Sequence, residues 1–189
     1  MSEHPQPPTQ GPPPARERVR SRVLVNTGEG KGKSSAAFGV MIRAVAAGWR
    51  VAVVQFLKSG RWKTGEEEIG RRLGVDWWAL GDGFTWDSKD MDETEAIARE
   101  AWRAAAEIVR AGEHRLVILD EITYPMTWGW IDTREVVETI RDRPPHVSVI
   151  CTGRDAPAEL RGIADTVTEM VNEKHAFDLG IGAMRGIEY

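Results

Sequence analysis

The stretch that decides the fold is Thr27-Gly-Glu-Gly-Lys-Gly-Lys-Ser34. It lies between a short apolar run, Arg22-Val-Leu-Val-Asn26, and an apolar segment from 33 to 47 that favours a helix. Its alternating glycines let the backbone turn tightly and point N–H groups at one anion. The helix adds about half a unit of positive charge at its N-terminus. The sequence therefore predicts a strand, a phosphate-binding loop and a helix.

Several side chains of this loop are suited to a triphosphate and its metal ion. Lys33 offers a charge to phosphate oxygens, and Ser34 offers a hydroxyl to Mg²⁺ or phosphate. The usual pattern, G-x-x-x-x-G-K-S/T, would place its first glycine at position 27, where this chain has threonine. The remaining glycines still allow the turn. We therefore predict a nucleotide-binding loop made of Gly28, Glu29, Gly30, Lys31, Gly32, Lys33, Ser34 and Ser35.

A second nucleotide-binding element is Leu116-Val-Ile-Leu-Asp-Glu121, an apolar run that ends on two carboxylates. A buried strand of this kind delivers an acidic side chain to the metal ion beside the phosphates. A third segment, Thr152-Gly-Arg154, also ends an apolar run, and we predict that Arg154 either contacts the phosphates of the nucleotide or pairs with Asp155 or another acidic neighbour. Together the segments predict a magnesium-nucleotide site. They leave three reactions open: hydrolysis, phosphoryl transfer, and attack elsewhere on the nucleotide.

Strand and helix patterns alternate along the chain, which predicts an α/β fold of the P-loop NTPase type. The fold is a mostly parallel six-stranded sheet with helices on both faces. Ligands of such sheets bind at the carboxyl ends of the strands. The predicted strands are 22–26, 51–56, 75–79, 116–119, 147–151 and 166–171, and the predicted helices are 33–47, 65–73, 92–111, 133–141 and 157–162.

The composition fits one soluble domain, residues 22–189, after a proline-rich and disordered N-terminal tail, residues 1–21. The single cysteine, Cys151, excludes a disulfide framework, a cysteine-rich zinc site and a cysteine-ligated iron–sulfur cluster. No apolar run approaches the ~20 residues of a membrane span, and no signal peptide is evident. We therefore expect a cytoplasmic protein without membrane contact.

Charge and aromatic content bear on the ligand. Four arginines and two glutamates give the segment up to Arg22 a net charge of +2. Because the whole chain has a net charge of −4, the rest of the chain carries −6. A body of that sign is a poor partner for nucleic acid. Tryptophan, with eight residues, outnumbers phenylalanine and tyrosine together, with six. We therefore expect some indole rings to line the site of a flat or bulky ligand.

Six segments together resemble one known family, the P-loop type of ATP:corrinoid adenosyltransferase, over about residues 20–189. They are Thr27–Gly39, Val53–Lys58, Gly83–Trp86, Val117–Tyr124, Thr152–Arg154 and Lys174–Asp178. The resemblance implies transfer of the 5′-deoxyadenosyl group of ATP to the Co(I) of a reduced corrinoid, with Mg²⁺ or Mn²⁺ and release of triphosphate. It also implies adenosylcobalamin synthesis or salvage, a homodimer, and a reductase that supplies electrons to cobalt.

The same resemblance implies three catalytic residues. Lys33 stabilises the triphosphate leaving group. Phe84 and Trp86 occupy the lower face of the corrinoid and exclude its axial base, which makes Co(I) accessible. From the residues alone, both rings could instead pack as core under their glycine-rich loop.

Further roles follow from the resemblance. Ser34 and Glu121 are expected to coordinate the metal ion, and Asp120 is expected either to coordinate it as well or to lie close to its ligands. Tryptophans in predicted loops are candidate walls of the corrinoid site: Trp62, Trp128 and Trp130. Those in predicted regular elements, Trp77, Trp78 and Trp102, are expected to belong to the core.

Two other functions stay open on the residues alone. A P-loop small-molecule kinase would need a base beside the acceptor hydroxyl and often an arginine-bearing lid, and no such lid stands out in the sequence. A nucleotide-dependent switch would use the glycine-rich segment 81–87 to contact a partner protein.

Overall fold

The computed structural model of the chain describes residues 19–58, 64–81 and 91–188. Its strands are β1 Val23–Thr27, β2 Val51–Gln55, β3 Asp76–Ala79, β4 Leu116–Asp120, β5 Ser148–Thr152 and β6 Thr166–Glu169. They form one sheet in the order β3-β2-β4-β5-β1-β6, and every neighbouring pair is parallel. The predicted α/β fold with six strands is therefore confirmed.

The helices within the described residues are α1 Lys33–Ala46, α2 Gly65–Arg72, α3 Met91–Ala111, α4 Thr123–Thr127, α5 Thr133–Arg141 and α6 Ala158–Gly162, with a 3₁₀ helix at Phe177–Leu179. Helix α4 is not predicted from the sequence, because its five residues follow β4 almost directly and include Pro125, which is typical of a turn. The predicted sixth strand is two residues too long. From Met170 onward the chain packs against the loop that follows β1.

Two hydrophobic cores cover the two faces of the sheet. Helix α1 packs on one face through Phe38, Met41 and Ala44, and contacts alternate strand residues such as Val53 and Ile118. Helices α3, α5 and α6 pack on the opposite face. Because successive strand side chains point to opposite faces, β2, β4 and β5 are buried on both sides. The prediction of helices on both faces is confirmed.

Several predicted core residues are buried as expected. Trp77 and Trp102 are 3% and 2% exposed, and Trp78 is partly buried against the core of α3. Cys151 is fully buried, and burial raises the pKa of its thiol to about 12, which makes it a poor nucleophile. Among the helices that the structure describes, none is both long and apolar enough to cross a membrane.

The topology sets the place of the site. Strands β4, β5 and β1 are neighbours in the sheet and run in the same direction. Their carboxyl ends therefore meet at one edge. The segments at these ends are the glycine-rich loop after β1, Asp120-Glu121 at the end of β4 and Thr152-Gly-Arg154 at the end of β5, as the sequence predicts.

Candidate active site

The loop between β1 and α1 is shaped by its glycines. Gly28 and Gly32 have φ of 95° and 108°, a region that favours glycine. A Cβ on Gly28 would lie 2.5 Å from the backbone oxygen of Met170, and one on Gly30 would lie 2.5 Å from that of Val171. The Gly30 N–H donates to the Met170 oxygen at 2.7 Å. The loop is thus held against the chain that follows β6, with no room for a side chain at either glycine.

The threonine at the first position of the loop motif has a structural role. Thr27 is buried, and its hydroxyl oxygen accepts a hydrogen bond of 3.1 Å from the Ala156 N–H. Since Ala156 follows β5, this bond ties the segment after β5 to the end of β1. A glycine at position 27 would lack this contact.

Lys33 lies inside the loop. Its Nζ donates to the backbone oxygens of Gly28 and Gly30 at 2.7 and 2.6 Å. Burial, and secondly the charge of Arg154, lower the pKa of Lys33, whereas Glu29 and Glu121 act in the opposite direction. The first N–H groups of α1 have no acceptor within the helix. Together with the ammonium group they form a site suited to a polyanion.

A cavity of about 480 Å³ lies beside this loop. Arg154 and Glu29 line it and form an ion pair of 3.1 Å between Nη1 and Oε2. Lys31 and Glu188 also line it, with 3.1 Å between Nζ and Oε1. Of the two roles predicted for Arg154, the structure shows an acidic partner, and this partner belongs to the phosphate loop. The cavity has the size of a small-molecule site.

Asp120 is fully buried at the end of β4, and both of its carboxylate oxygens accept hydrogen bonds. Gln55 Nε2 donates to Oδ2 at 2.9 Å, and Thr152 Oγ1 donates to Oδ1 at 2.8 Å. Gln55 is not among the site residues predicted from the sequence. The signal that could have revealed it is an amide at the end of an otherwise apolar strand.

Glu121, the next residue, is only partly buried and has a φ of 66°, which is unusual for a residue with a side chain. Burial, and secondly the charge of Asp120, raise the pKa of Glu121 to about 7, while Lys58 and Lys33 act to lower it. Glu121 is therefore close to the lysine of the phosphate loop, and it is the more exposed of the two carboxylates.

The donors at this edge fit a magnesium ion held mainly by its nucleotide. They are the Ser34 hydroxyl at the start of α1 and the Glu121 carboxylate after β4. Within the described residues, no three histidine, cysteine or acidic side chains form a group that could hold a metal. Mg²⁺ in nucleotide sites is usually bound by one or two protein oxygens, substrate phosphates and water. A hydroxyl and one carboxylate satisfy that requirement.

Helix α4 and the loop after β5 are locked together. Gly153 has a φ of 135°, and a Cβ there would lie 2.0 Å from Thr123 Oγ1. The same hydroxyl donates to the backbone oxygen of Arg154 at 2.6 Å. This contact fixes the backbone from which the Arg154 side chain reaches Glu29.

Aromatic residues extend from this edge. Burial is the main cause that raises the pKa of Tyr124. The charge of Arg154 acts to lower this pKa, and the charge of Glu121 acts to raise it. The ring of Tyr124 lies 5.6 Å from that of Trp128, which is 41% exposed and lies 4.6 Å from the ring of Trp130. The other predicted aromatic site residues lie outside the described residues: Trp62, Phe84 and Trp86.

Comparisons with known proteins show the family to which the whole described part of the chain is similar. Residues 19–189 match the family model described as ATP:corrinoid adenosyltransferase BtuR/CobO/CobP. The chain is 41% identical to the corrinoid adenosyltransferase of Escherichia coli K12, an alignment that covers 90% of this chain and 86% of that protein. It is 42% identical to the corrinoid adenosyltransferase of Pseudomonas aeruginosa, over 90% of this chain and 84% of that one. It is 38% identical to the corrinoid adenosyltransferase CobA of Salmonella typhimurium, over 92% of this chain and 88% of that protein.

Proposed function

The chain belongs to the ATP:corrinoid adenosyltransferase family, and we propose that it transfers the 5′-deoxyadenosyl group of ATP to the Co(I) centre of a corrinoid. The observation that carries this proposal is the phosphate loop with Lys33 inside it, in a chain that matches the family from residue 19 to residue 189. The reaction serves adenosylcobalamin biosynthesis or salvage.

The chemistry asks little of general acids or bases. Co(I) supplies both electrons of the new Co–C bond, the C5′–O bond of ATP breaks, and the electron pair leaves with triphosphate. No proton has to be removed. The work of the protein is to hold C5′ in line with cobalt and to stabilise the charge that grows on the leaving group.

Lys33 and the N-terminus of α1 stabilise that charge. The Lys33 ammonium is fixed by two backbone oxygens of the loop, so it needs little reorganisation when triphosphate forms. Arg154, whose backbone is held by Thr123, adds a second cation at the same edge. The other members of the proposed ATP-binding loop are Gly28, Glu29, Gly30, Lys31, Gly32, Ser34 and Ser35.

We propose Mg²⁺ or Mn²⁺ as the metal ion, bound through the Ser34 hydroxyl and the Glu121 carboxylate. The ion supplies electrostatic stabilisation to the phosphates. Support comes from the position of Glu121, which is partly exposed and close to Lys33, whereas Asp120 is fully buried with both oxygens hydrogen-bonded.

The corrinoid site is proposed from the family resemblance. Phe84 and Trp86 cover the lower face of the corrinoid, and Trp62 and Trp128 contribute to its wall. Trp128 is the member of this set whose surroundings are described. Its partly exposed ring, beside Tyr124 at the active-site edge, is available to a flat ligand.

A homodimer is also part of the proposal. The chain after β6 exposes large apolar side chains to an unusual degree: Val171, Phe177, Leu179, Ile181, Met184 and Ile187 are 57–79% exposed. An apolar surface of this kind marks an interaction site. We expect light scattering of the purified protein to give twice the mass of one chain, which is 21.0 kDa.

Two further parts of the proposal are a cytoplasmic location and a separate reductase that supplies electrons to cobalt.

Product analysis tests the proposed reaction. The protein is incubated with Mg-ATP and chemically reduced cobalamin, and the phosphorus products are separated. Adenosyl transfer yields inorganic triphosphate in a one-to-one ratio with alkylated corrinoid. A kinase or a nucleotide switch yields ADP instead, which would refute the proposal.

A further inference from the structure

Four buried polar side chains from four adjacent strands form one hydrogen-bonded row across the sheet. Trp77 Nε1 donates to Gln55 Oε1 at 2.9 Å, and Gln55 Nε2 donates to Asp120 at 2.9 Å. Thr152 Oγ1 donates to the other oxygen of Asp120 at 2.8 Å. None of the four is more than 3% exposed. The row runs from β3 through β2 and β4 to β5, at the edge that carries the phosphate loop.

The direction of each hydrogen bond in the row is determined. An indole N–H can only donate, so the amide oxygen of Gln55 faces Trp77 and its NH₂ group faces Asp120. At the other end, Thr152 Oγ1 accepts from the Glu121 N–H at 2.9 Å, so its hydroxyl proton is available to Asp120. Both ends of the row thus donate toward the Asp120 carboxylate, which accepts at both oxygens.

The row ends on the backbone of Glu121. This residue has a φ of 66°, a conformation that a residue with a side chain adopts only when its surroundings enforce it. The hydrogen bond from its N–H to Thr152 is one such constraint, and Thr152 is itself fixed by Asp120. The conformation turns the chain at the end of β4, where the Glu121 carboxylate comes close to Lys33.

We propose that the row Trp77–Gln55–Asp120–Thr152 positions the Glu121 carboxylate for the metal–ATP complex, with Thr152 and Gln55 as positioning residues and Asp120 acting through Thr152. This inference rests on the proposed function for the identity of the ligand. It explains why a fully buried aspartate precedes the partly exposed glutamate. The aspartate holds the row, and the glutamate faces the nucleotide.

Thr152→Val tests the inference, because valine keeps the shape of the side chain while removing the hydroxyl. Thr152→Ser keeps the hydroxyl and should restore the wild-type behaviour. The matched control is Thr139→Val in α5, where a buried hydroxyl accepts a hydrogen bond from Arg110. Thermal unfolding of all variants shows the structural contribution of each hydroxyl.

The readout is Mn²⁺ binding in the presence of ATP, measured by electron paramagnetic resonance of free Mn²⁺ without any corrinoid. ATP affinity in EDTA is measured alongside. We expect Thr152→Val to weaken Mn²⁺ binding by ten- to a hundredfold, the usual effect of losing a hydrogen-bond partner behind a metal ligand. ATP affinity in EDTA should change less than twofold. Thr152→Ser and Thr139→Val should bind Mn²⁺ like the wild type.

A second variant keeps the test decisive if Thr152→Val does not fold. Gln55→Met conserves the length of the side chain and breaks the row on the other side of Asp120, and we expect a severalfold loss of Mn²⁺ affinity.

The inference is overturned if Mn²⁺ affinity is unchanged in Thr152→Val, or in Gln55→Met where that variant replaces it. It is also overturned if affinity for metal-free ATP falls by the same factor. Failure of the proposed function looks different, because the wild type would then bind Mn²⁺ and ATP without alkylating reduced cobalamin.

Discussion

The substitution Gly153→Ala probes the lock between α4 and the loop after β5. Gly153 is buried with a φ of 135°, and the new Cβ would lie 2.0 Å from Thr123 Oγ1. Backbone strain of this kind costs about 1–3 kcal/mol, and overpacking in a tight interior costs about 1–3 kcal/mol. We expect the free energy of unfolding to fall by about 2–6 kcal/mol.

Two further variants separate strain from collision. Gly129→Ala also places a side chain at a positive φ, 74°, but no atom lies within 4 Å of its Cβ. In this variant backbone strain alone should lower the free energy of unfolding, by about 1–2 kcal/mol. Thr123→Ala removes the hydroxyl that a Cβ at Gly153 would strike, and leaves Thr123 Cβ, at 3.2 Å, as the closest side-chain atom. Adding it to Gly153→Ala should therefore restore part of the lost stability, although Thr123→Ala alone loses a hydrogen bond worth about 1 kcal/mol.

Urea unfolding followed by tryptophan fluorescence measures all four variants. The predicted result is a larger loss for Gly153→Ala than for Gly129→Ala, with partial recovery in the double variant. ATP affinity should fall along with stability in Gly153→Ala, because the Arg154 backbone is displaced from Thr123. Equal losses at the two glycines, or a double variant less stable than Gly153→Ala, would show that a side chain at position 153 does not collide with Thr123.

Three further predictions concern charge and the corrinoid. Lys33→Ala should weaken ATP binding by roughly tenfold or more, since a hydrogen bond to a charged group is worth about 1.5–3 kcal/mol, and calorimetry measures it. Phe84→Ala combined with Trp86→Ala should slow turnover from Co(II) with a mild reductant more than turnover from preformed Co(I), and equal losses would indicate a packing role. Asp76 accepts hydrogen bonds from His114 and Arg50, which hold its pKa below the usual value. Because the folded state favours the Asp76 carboxylate, the wild type should exceed Asp76→Asn in free energy of unfolding by the largest amount at pH 6. This difference should shrink as the pH falls below about 4. Urea titrations at several pH values measure it.

Much of the fold could be predicted because the strands are local and apolar. The apolar composition of runs such as Leu116–Leu119 is enough to predict a buried parallel strand, and the glycine-rich loop indicates where the first strand ends. The same pattern predicts that Lys33, Asp120, Glu121 and Arg154 lie at one edge of the sheet. It does not predict helix α4, because a five-residue helix that contains proline carries no periodic signal.

The hydrogen-bonded row could not be predicted for a different reason. Its members lie far apart along the chain, and they meet only through the order and register of four strands. The sequence shows Gln55 as a lone amide in an apolar run and Trp77 as a core aromatic. It does not show that β2 lies between β3 and β4, which brings both side chains to Asp120. Nor does the composition indicate that the chain after β6 covers the phosphate loop.

Adenosyl transfer itself can be followed in the absorption spectrum of chemically reduced cobalamin mixed with the protein and Mg-ATP. We expect the Co(I) absorbance to disappear and a corrinoid with a light-sensitive Co–C bond to form in equal amount. If ATP is converted to ADP and phosphate while no alkylated corrinoid appears, the chain is not an adenosyltransferase.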